Sequence, residues 1–157
     1  MSFGDAIGEC FFNYANFRDR AARAEYWWWL LFVTIVLAVA VVLDLALFSG
    51  FSVPPFLTLI IFASILPGLS VTVRRLHDTG HSGWWLLIPV GAGLLAMAIT
   101  IVGVITHGNE PPSTPLLIFI GVPMIVCMGT SILLLVWMAV PSIPGNNAYG
   151  PNRYAGS

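Results

Sequence analysis

Residues 74–85 read RRLHDTGHSGWW and place two guanidinium groups, two imidazoles and a carboxylate within twelve positions. Arg74 and Arg75, with Arg23 from the segment before the first span, carry forked donors that grip phosphate or carboxylate oxygens two at a time, which is the chemistry of a receptor for a phosphate or lipid headgroup. His77 and His81 stand four apart with Asp78 beside them, a spacing that holds zinc when it falls on one helical face. Here Thr79-Gly80 and Ser82-Gly83 favour a turn and no third strong ligand adjoins, so a metal is the weaker use of His77, Asp78 and His81. A second cluster, RDRAARAEYWWW from Arg18, adds Arg20, Arg23 and Glu25. The plainer alternative is mutual pairing, with Arg20 or Arg23 and Arg74 or Arg75 meeting Asp78 and Glu25 and pinning one segment to the other. Ser/His/Asp triads, phosphate-cradling glycine loops and paired catalytic carboxylates are all missing from the pattern. Catalysis is therefore unsupported by the pattern, though a membrane enzyme using His77 and Asp78 stands as the lesser alternative, and no cofactor is implied.

The elements that carry these clusters are set by composition. Of 157 residues 58% are apolar and only 8% charged, with no lysine. A soluble domain of this length covers its surface with charge, and this chain cannot, so it needs lipid around it. Tyr26 to Phe48 holds one charge, Asp44, and extends roughly 35 Å as a helix, enough to cross the hydrocarbon. Further spans are expected at about 56–73, where Pro67-Gly68 should kink or loosen the helix, at 84–106, and at 116–140. Prolines in HGNEPPSTP separate the last two. The fold class is thus all-α, an integral membrane bundle of four transmembrane helices over residues 26–140. Before it, residues 1–25 form a cytoplasmic segment in which Phe3, Ile7, Cys10, Phe11, Tyr14 and Phe17 make an amphipathic stripe over 3–17. This N-terminal amphipathic helix is interfacial, lying in the membrane surface or packing across the end of the bundle. After the spans, residues 141–157 are a polar tail rich in Pro, Gly and Asn.

Four spans put the N-terminal segment, the 74–83 loop and the tail on one side. Arg18, Arg20, Arg23, Arg74, Arg75 and Arg153 all fall there, which makes that side, and both termini, cytoplasmic. Trp27, Trp28, Trp29, Trp84 and Trp85 stand where two spans enter, as ring systems do at the headgroup level. The near-neutral net charge of −1 does not suggest nucleic acid. Asp44 lies close enough to the outer boundary to snorkel or meet water, with His107 as a candidate partner. Ala92, Ala96 and Thr100 form a small-residue stripe that marks a packing face, within the chain or with a second copy. Cys10 and Cys127 are expected as packing residues rather than a disulfide, and no basic region opens the chain as in a cleavable signal.

Three motifs, NYANFRDRAARAEYW from Asn13, RRLHDTGHSGWW from Arg74 and PGNNAYGP from Pro144, appear in this order with apolar spans between them. In that arrangement the chain resembles the bacterial inner-membrane family known as domain of unknown function 805. The resemblance covers nearly the whole chain and implies a small helical membrane domain of the plasma membrane, with no established reaction, substrate or cofactor. The positions that match are Arg20, Arg23, Glu25, Arg74, Arg75, His77, Asp78, Asn147 and Gly150. Asp19 stands where the family usually has glycine, and Ala148 where a basic residue often precedes the final aromatic, so the cluster is less basic here. The expected role is a binding or regulatory membrane module whose cytoplasmic polar cluster takes an anionic ligand or lipid headgroup. Membrane lipids are the expected partners, with a protein partner or homo-oligomer beside them; the alternative is a small transporter or channel subunit.

Overall fold

The computed structural model describes residues 1–48, 50, 52–107 and 113–151, with the side chain of His107 outside that set, and every regular element among the described residues is helical. Four helices, Arg23–Leu47, Pro55–Asp78, Gly83–Thr106 and Thr114–Ala139, are long and apolar enough to cross a membrane. The chain divides into two compact units, one formed by Met1–His81 with the chain from Val140 onward, the other by Ser82–Ala139.

In the first unit α1 (Phe3–Phe12) opens with a capping box. The Asp5 amide donates to Ser2 Oγ at 3.2 Å and the Ser2 amide donates back to Asp5 Oδ2 at 3.0 Å. These bonds hold the exposed Asp5 carboxyl below its ordinary pKa. The helix stops at Phe12 instead of running to residue 17, because Asn13 folds its side-chain amide back onto the Glu9 carbonyl at 3.0 Å and the Glu9 carboxylate at 2.8 Å. Ala6 and Cys10, one turn apart, are its buried face, and Phe3 and Phe11 meet Trp28 and Trp29 edge-on at 5.5 and 5.4 Å.

Two longer helices, α2 (Arg23–Leu47) and α3 (Pro55–Asp78), pack against each other and against α1. Asp44 is 5% exposed and accepts from the amides of Phe56 and Leu57 at 3.0 and 2.8 Å. It therefore caps the start of α3, where Pro54 has no side chain to do so, instead of reaching for water. His107, expected as its partner, has its side chain outside the described residues.

Pro67 lies inside α3 and has no N–H to give the carbonyl of Ala63. The Tyr14 hydroxyl donates to that carbonyl at 3.2 Å, so the acceptor that proline frees becomes an anchor for the chain leaving α1. Past Val73, where a loop is expected, α3 continues through Arg74, Arg75, Leu76, His77 and Asp78. It ends at a Schellman motif: the His81 amide donates to Leu76 O at 2.8 Å and the Gly80 amide to His77 O at 3.1 Å, with Gly80 at φ 77°.

The second unit begins with a 3₁₀ turn, Gly83–Leu86, that leads into α4 (Leu87–His107), which packs on α5 (Thr114–Ala139). Trp85 meets Trp137 edge-on at 5.1 Å, and a Cβ on Gly103 would stand 2.9 Å from Leu116 Cδ2, so the two helices approach closely there.

Gly80→Ala should be among the most damaging single-methyl changes. It forces a side chain into the left-handed region and puts a Cβ 2.7 Å from Ile143 Cδ1. A loss of about 1–2 kcal/mol from the backbone alone is expected, read as a lowered melting temperature in detergent; an unchanged midpoint would refute it.

Candidate functional site

Because α3 carries its charges on a continuing helix, Arg74, Arg75 and Asp78 enter the interior of the first unit. Arg20, Arg74 and Arg75 are 2%, 2% and 0% exposed, and Glu25 and Asp78 are both 0%. Asp78 Oδ1 accepts from Arg20 Nε at 2.9 Å and pairs with Nη2, while Asp78 Oδ2 pairs with Arg75. Further donors of the two arginines reach the segment that follows α5, including the Ser142 hydroxyl, which lies 3.4 Å from Arg75 Nη1, and Arg20 Nη2 also reaches Asp78 O at 3.5 Å. Arg20 reaches the carbonyls of Ile143 at 2.7 Å, Gly145 at 2.8 Å and Gly150 at 3.4 Å, and Arg75 donates to the carbonyl of Val140. The Ile143 amide returns a bond to Asp78 O at 3.2 Å. The segment from Val140 to Gly150 is thereby strapped over the end of α3.

His77 completes the strap. Its ring stacks on Tyr149 at 3.9 Å with an interplanar angle of 2°, and Asn147 Nδ2 donates to its carbonyl at 2.8 Å. Asn147 and Gly150 also exchange backbone bonds at 3.1 Å, which closes the turn that presents Tyr149.

Arg74 turns the other way. Its Nη2 lies 2.6 Å from Glu25 Oε1, though off the line that a hydrogen bond requires, and Nε donates to Ser70 Oγ at 3.4 Å. Ser70 Oγ lies 2.7 Å from both the Asn13 and Asn16 carbonyls, and the Ala21 amide donates to Arg74 O at 3.1 Å. Cys10 Sγ sits 3.8 Å from Glu25 Oε1. Burial, followed by the Glu25 charge, pushes the Cys10 thiol up to about 12. Glu25 Oε2 and His77 Nδ1 have no hydrogen-bond partner among the described residues.

Of the residues singled out from sequence, Arg20, Arg75, His77, Asp78, Asn147 and Gly150 converge on the strap, and Glu25 and Arg74 form the neighbouring pair. Arg23 lies on the exposed face of the first turn of α2. His81 falls beyond the helix end, its Nδ1 3.1 Å from Thr79 Oγ1, and both Asp78 oxygens are taken by arginines. No group of three His, Cys, Asp or Glu side chains converges among the described residues. Sequence reasoning passed over Ser70, Tyr149 and the carbonyls of Val140, Ile143 and Gly145. One of two serines in an apolar span and a glycine-rich tail were the available signals, and neither identifies a partner.

Helices long enough to span a bilayer, closed at one end of a hairpin by fully buried ion pairs, define a multi-spanning helical membrane protein with an ionic cap. The chain belongs to the family described as protein of unknown function (DUF805), which matches residues 14–151. It is an integral inner-membrane protein: it is 43% identical over 76 residues to inner membrane protein YhaI and 41% identical over 78 residues to inner membrane protein YhaH, both of Escherichia coli K12. Each match covers 48% of this chain, and the chain spans 63% of YhaI and 64% of YhaH. No solved structure matches it.

Two predictions follow from the geometry. Asp78→Ala leaves Arg20 and Arg75 buried without a countercharge, a loss of about 3–5 kcal/mol; thermal unfolding of the variant in detergent should show it, and a wild-type midpoint would disprove the pairing. For Cys10, whose thiol ordinarily titrates near 9, raising the folded value to about 12 makes its contribution to stability complete below pH 9 and lost as pH climbs toward 12. In a Cys127→Ala background, iodoacetamide at pH 8 should therefore label Cys10 only after unfolding in SDS; rapid labelling of the folded protein contradicts its burial.

Proposed function

We propose that this protein is a binding module of the inner membrane whose ionic cap takes a phosphate-bearing anionic group, in the first instance an anionic lipid headgroup, in competition with its own C-terminal strap. One observation carries the reading. Among the described residues three buried guanidinium groups face two buried carboxylates, and Arg20 and Arg75 direct several of their other donors to neutral strap groups, the carbonyls of Val140, Ile143 and Gly145 and the Ser142 hydroxyl. A phosphate oxygen is a stronger partner for a guanidinium than an amide carbonyl is, so an anion arriving at the cap competes with the strap on favourable terms. Arg18 and Arg23 are exposed on the same segment and extend the positive surface at its edge.

In this reading both termini are cytoplasmic, since four apolar spans in sequence put the arginine-bearing segments around Arg18–Arg23 and Arg74–Arg75 on the same side as the termini, the side that arginine favours. The helix α1 is the amphipathic interfacial element that brings Arg20 into place. Binding is favoured over transport because Asp44, the one charge between Tyr26 and Phe48, is engaged as a helix cap.

Native mass spectrometry of the gently extracted protein is the test. Wild type should retain anionic phospholipid, and Asn147→Ala with Tyr149→Ala, which loosens the strap and leaves the arginines intact, should retain more of it. Less retention in that variant, or none in either protein, would mean that the cap is closed purely for stability.

A further inference from the structure

The second unit gathers sulfur. Of the five methionines in the chain, Met97, Met124 and Met128 line a single cavity of about 420 Å³ between α4 and α5, and one of the two cysteines, Cys127, lines it with them. The grouping follows from helical register. Met124, Cys127 and Met128 occupy positions i, i+3 and i+4 of α5, and Gly93, Ala96 and Met97 repeat that spacing on α4. Gly93 and Ala96 leave the space open, a Cβ on Gly93 standing 3.6 Å from Cys127 Sγ. The one hydroxyl on the wall, Thr100 Oγ1, already donates to the Ala96 carbonyl at 2.8 Å. Thioethers and a thiol are thus the side-chain donors left facing the cavity.

Methionine often fills gaps in apolar packing. Here Met97, Met124 and Met128 are 54%, 58% and 62% exposed and stand around an open-sided cavity on the outer face of the pair rather than in its packed interior. We propose that this cavity is a binding site for a soft monovalent metal ion of the Cu(I) class, held by the thioethers of Met97, Met124 and Met128 and the sulfur of Cys127. Soft thioether and thiolate ligands select Cu(I), whereas divalent zinc or magnesium would look for the nitrogen and oxygen ligands that the wall does not offer. Charge points the same way. Cys127 releases its proton as the metal–sulfur bond forms, and one thiolate against one monovalent cation makes a neutral complex, which an apolar span tolerates far better than a residual charge.

The full chain, purified anaerobically in mild detergent, is to be titrated against a coloured Cu(I)–bicinchoninate complex. Wild type should withdraw one ion per chain, and X-ray absorption of the product should show sulfur neighbours alone. Met124→Leu with Met128→Leu, and separately Cys127→Ala, should weaken uptake by about tenfold or more, while Met138→Leu, on α5 but outside the cavity wall, should leave it unchanged. Helical circular dichroism and elution position report folding. If the double variant does not fold, Met97→Leu, a near-isosteric change at an exposed position, serves in its place. Absence of uptake by folded wild type, uptake unaltered in both Met97→Leu and Cys127→Ala, or nitrogen neighbours indicating His77 or His81 would each overturn the proposal.

Discussion

A carboxylate that cannot reach water must find its countercharge within the protein, and Asp78 draws on two directions of the chain for it. Arg75 comes from the preceding turn of the same helix, and Arg20 from 58 residues earlier. Arg20 in turn has more donors than one carboxylate can use, and it spends them on carbonyls more than 120 residues away. Each contact is safe only when the others are made, because removing any one leaves a buried charge or donor exposed to a low-dielectric interior. The end of α3, the turn after α1 and the segment after α5 therefore close together or not at all. Burying the same volume with leucine would have stabilised the unit as well or better. A cap built from charge makes sense where the join must be specific, or where it must be able to open for something that bears charge.

The same accounting governs the backbone. Inside a bilayer no water repairs an unpaired amide or carbonyl, so every irregularity in a helix needs a partner from within the chain. Asp44 supplies one at the start of α3, where two prolines leave no side-chain cap. Tyr14 supplies another at Ala63, whose carbonyl is left open by Pro67. Hydroxyls within the spans bond back to their own helices, as Thr34 does to Leu30 and Thr130 to Val126. A proline that sequence logic treats as a weakness thus fixes where the N-terminal segment docks.

Much of this was open to reading before any coordinates. Long apolar runs identify spans because few other structures need them, and four helices among the described residues are long and apolar enough to cross a membrane. The failures share a cause. Segmentation by hydropathy ended the second span at Val73, the last residue before charge, whereas the helix ends at Asp78, where Gly80 permits the turn. Charge marks the end of a lipid-facing surface, and it says nothing about a helix that passes into a polar interior. Asp44 was misjudged for a related reason: distance from the boundary is visible in sequence, but the amides of Phe56 and Leu57 are not, since backbone donors carry no letter. The convergence of Arg20, Arg74, Arg75, Glu25 and Asp78 was suggested by their residue types. Which arginine meets which acid was decided by the face of α3 that each occupies, and the carbonyl ligands of the strap were invisible because any residue can offer them.

The two units are held by different physics. In the first, ion pairs and hydrogen bonds between distant segments specify the arrangement, with Cys10, Ala21, Trp29 and Val71 packed behind them. From Trp84 to Thr106 and from Pro115 to Ala139 there is no charged side chain at all, so α4 and α5 meet through close packing alone. Packing in lipid gains little from the hydrophobic effect, since the tails are as apolar as leucine, and stability then depends on how closely the two backbones approach. Gly103 against Leu116 and Trp85 against Trp137 achieve that at two places along the pair. Around Gly93 and Ala96 the small residues admit a cavity lined by sulfur instead of a neighbouring side chain. A space left open in an element stabilised only by contact costs dispersion energy that nothing else in the pair returns. An occupant with its own affinity for sulfur would restore it.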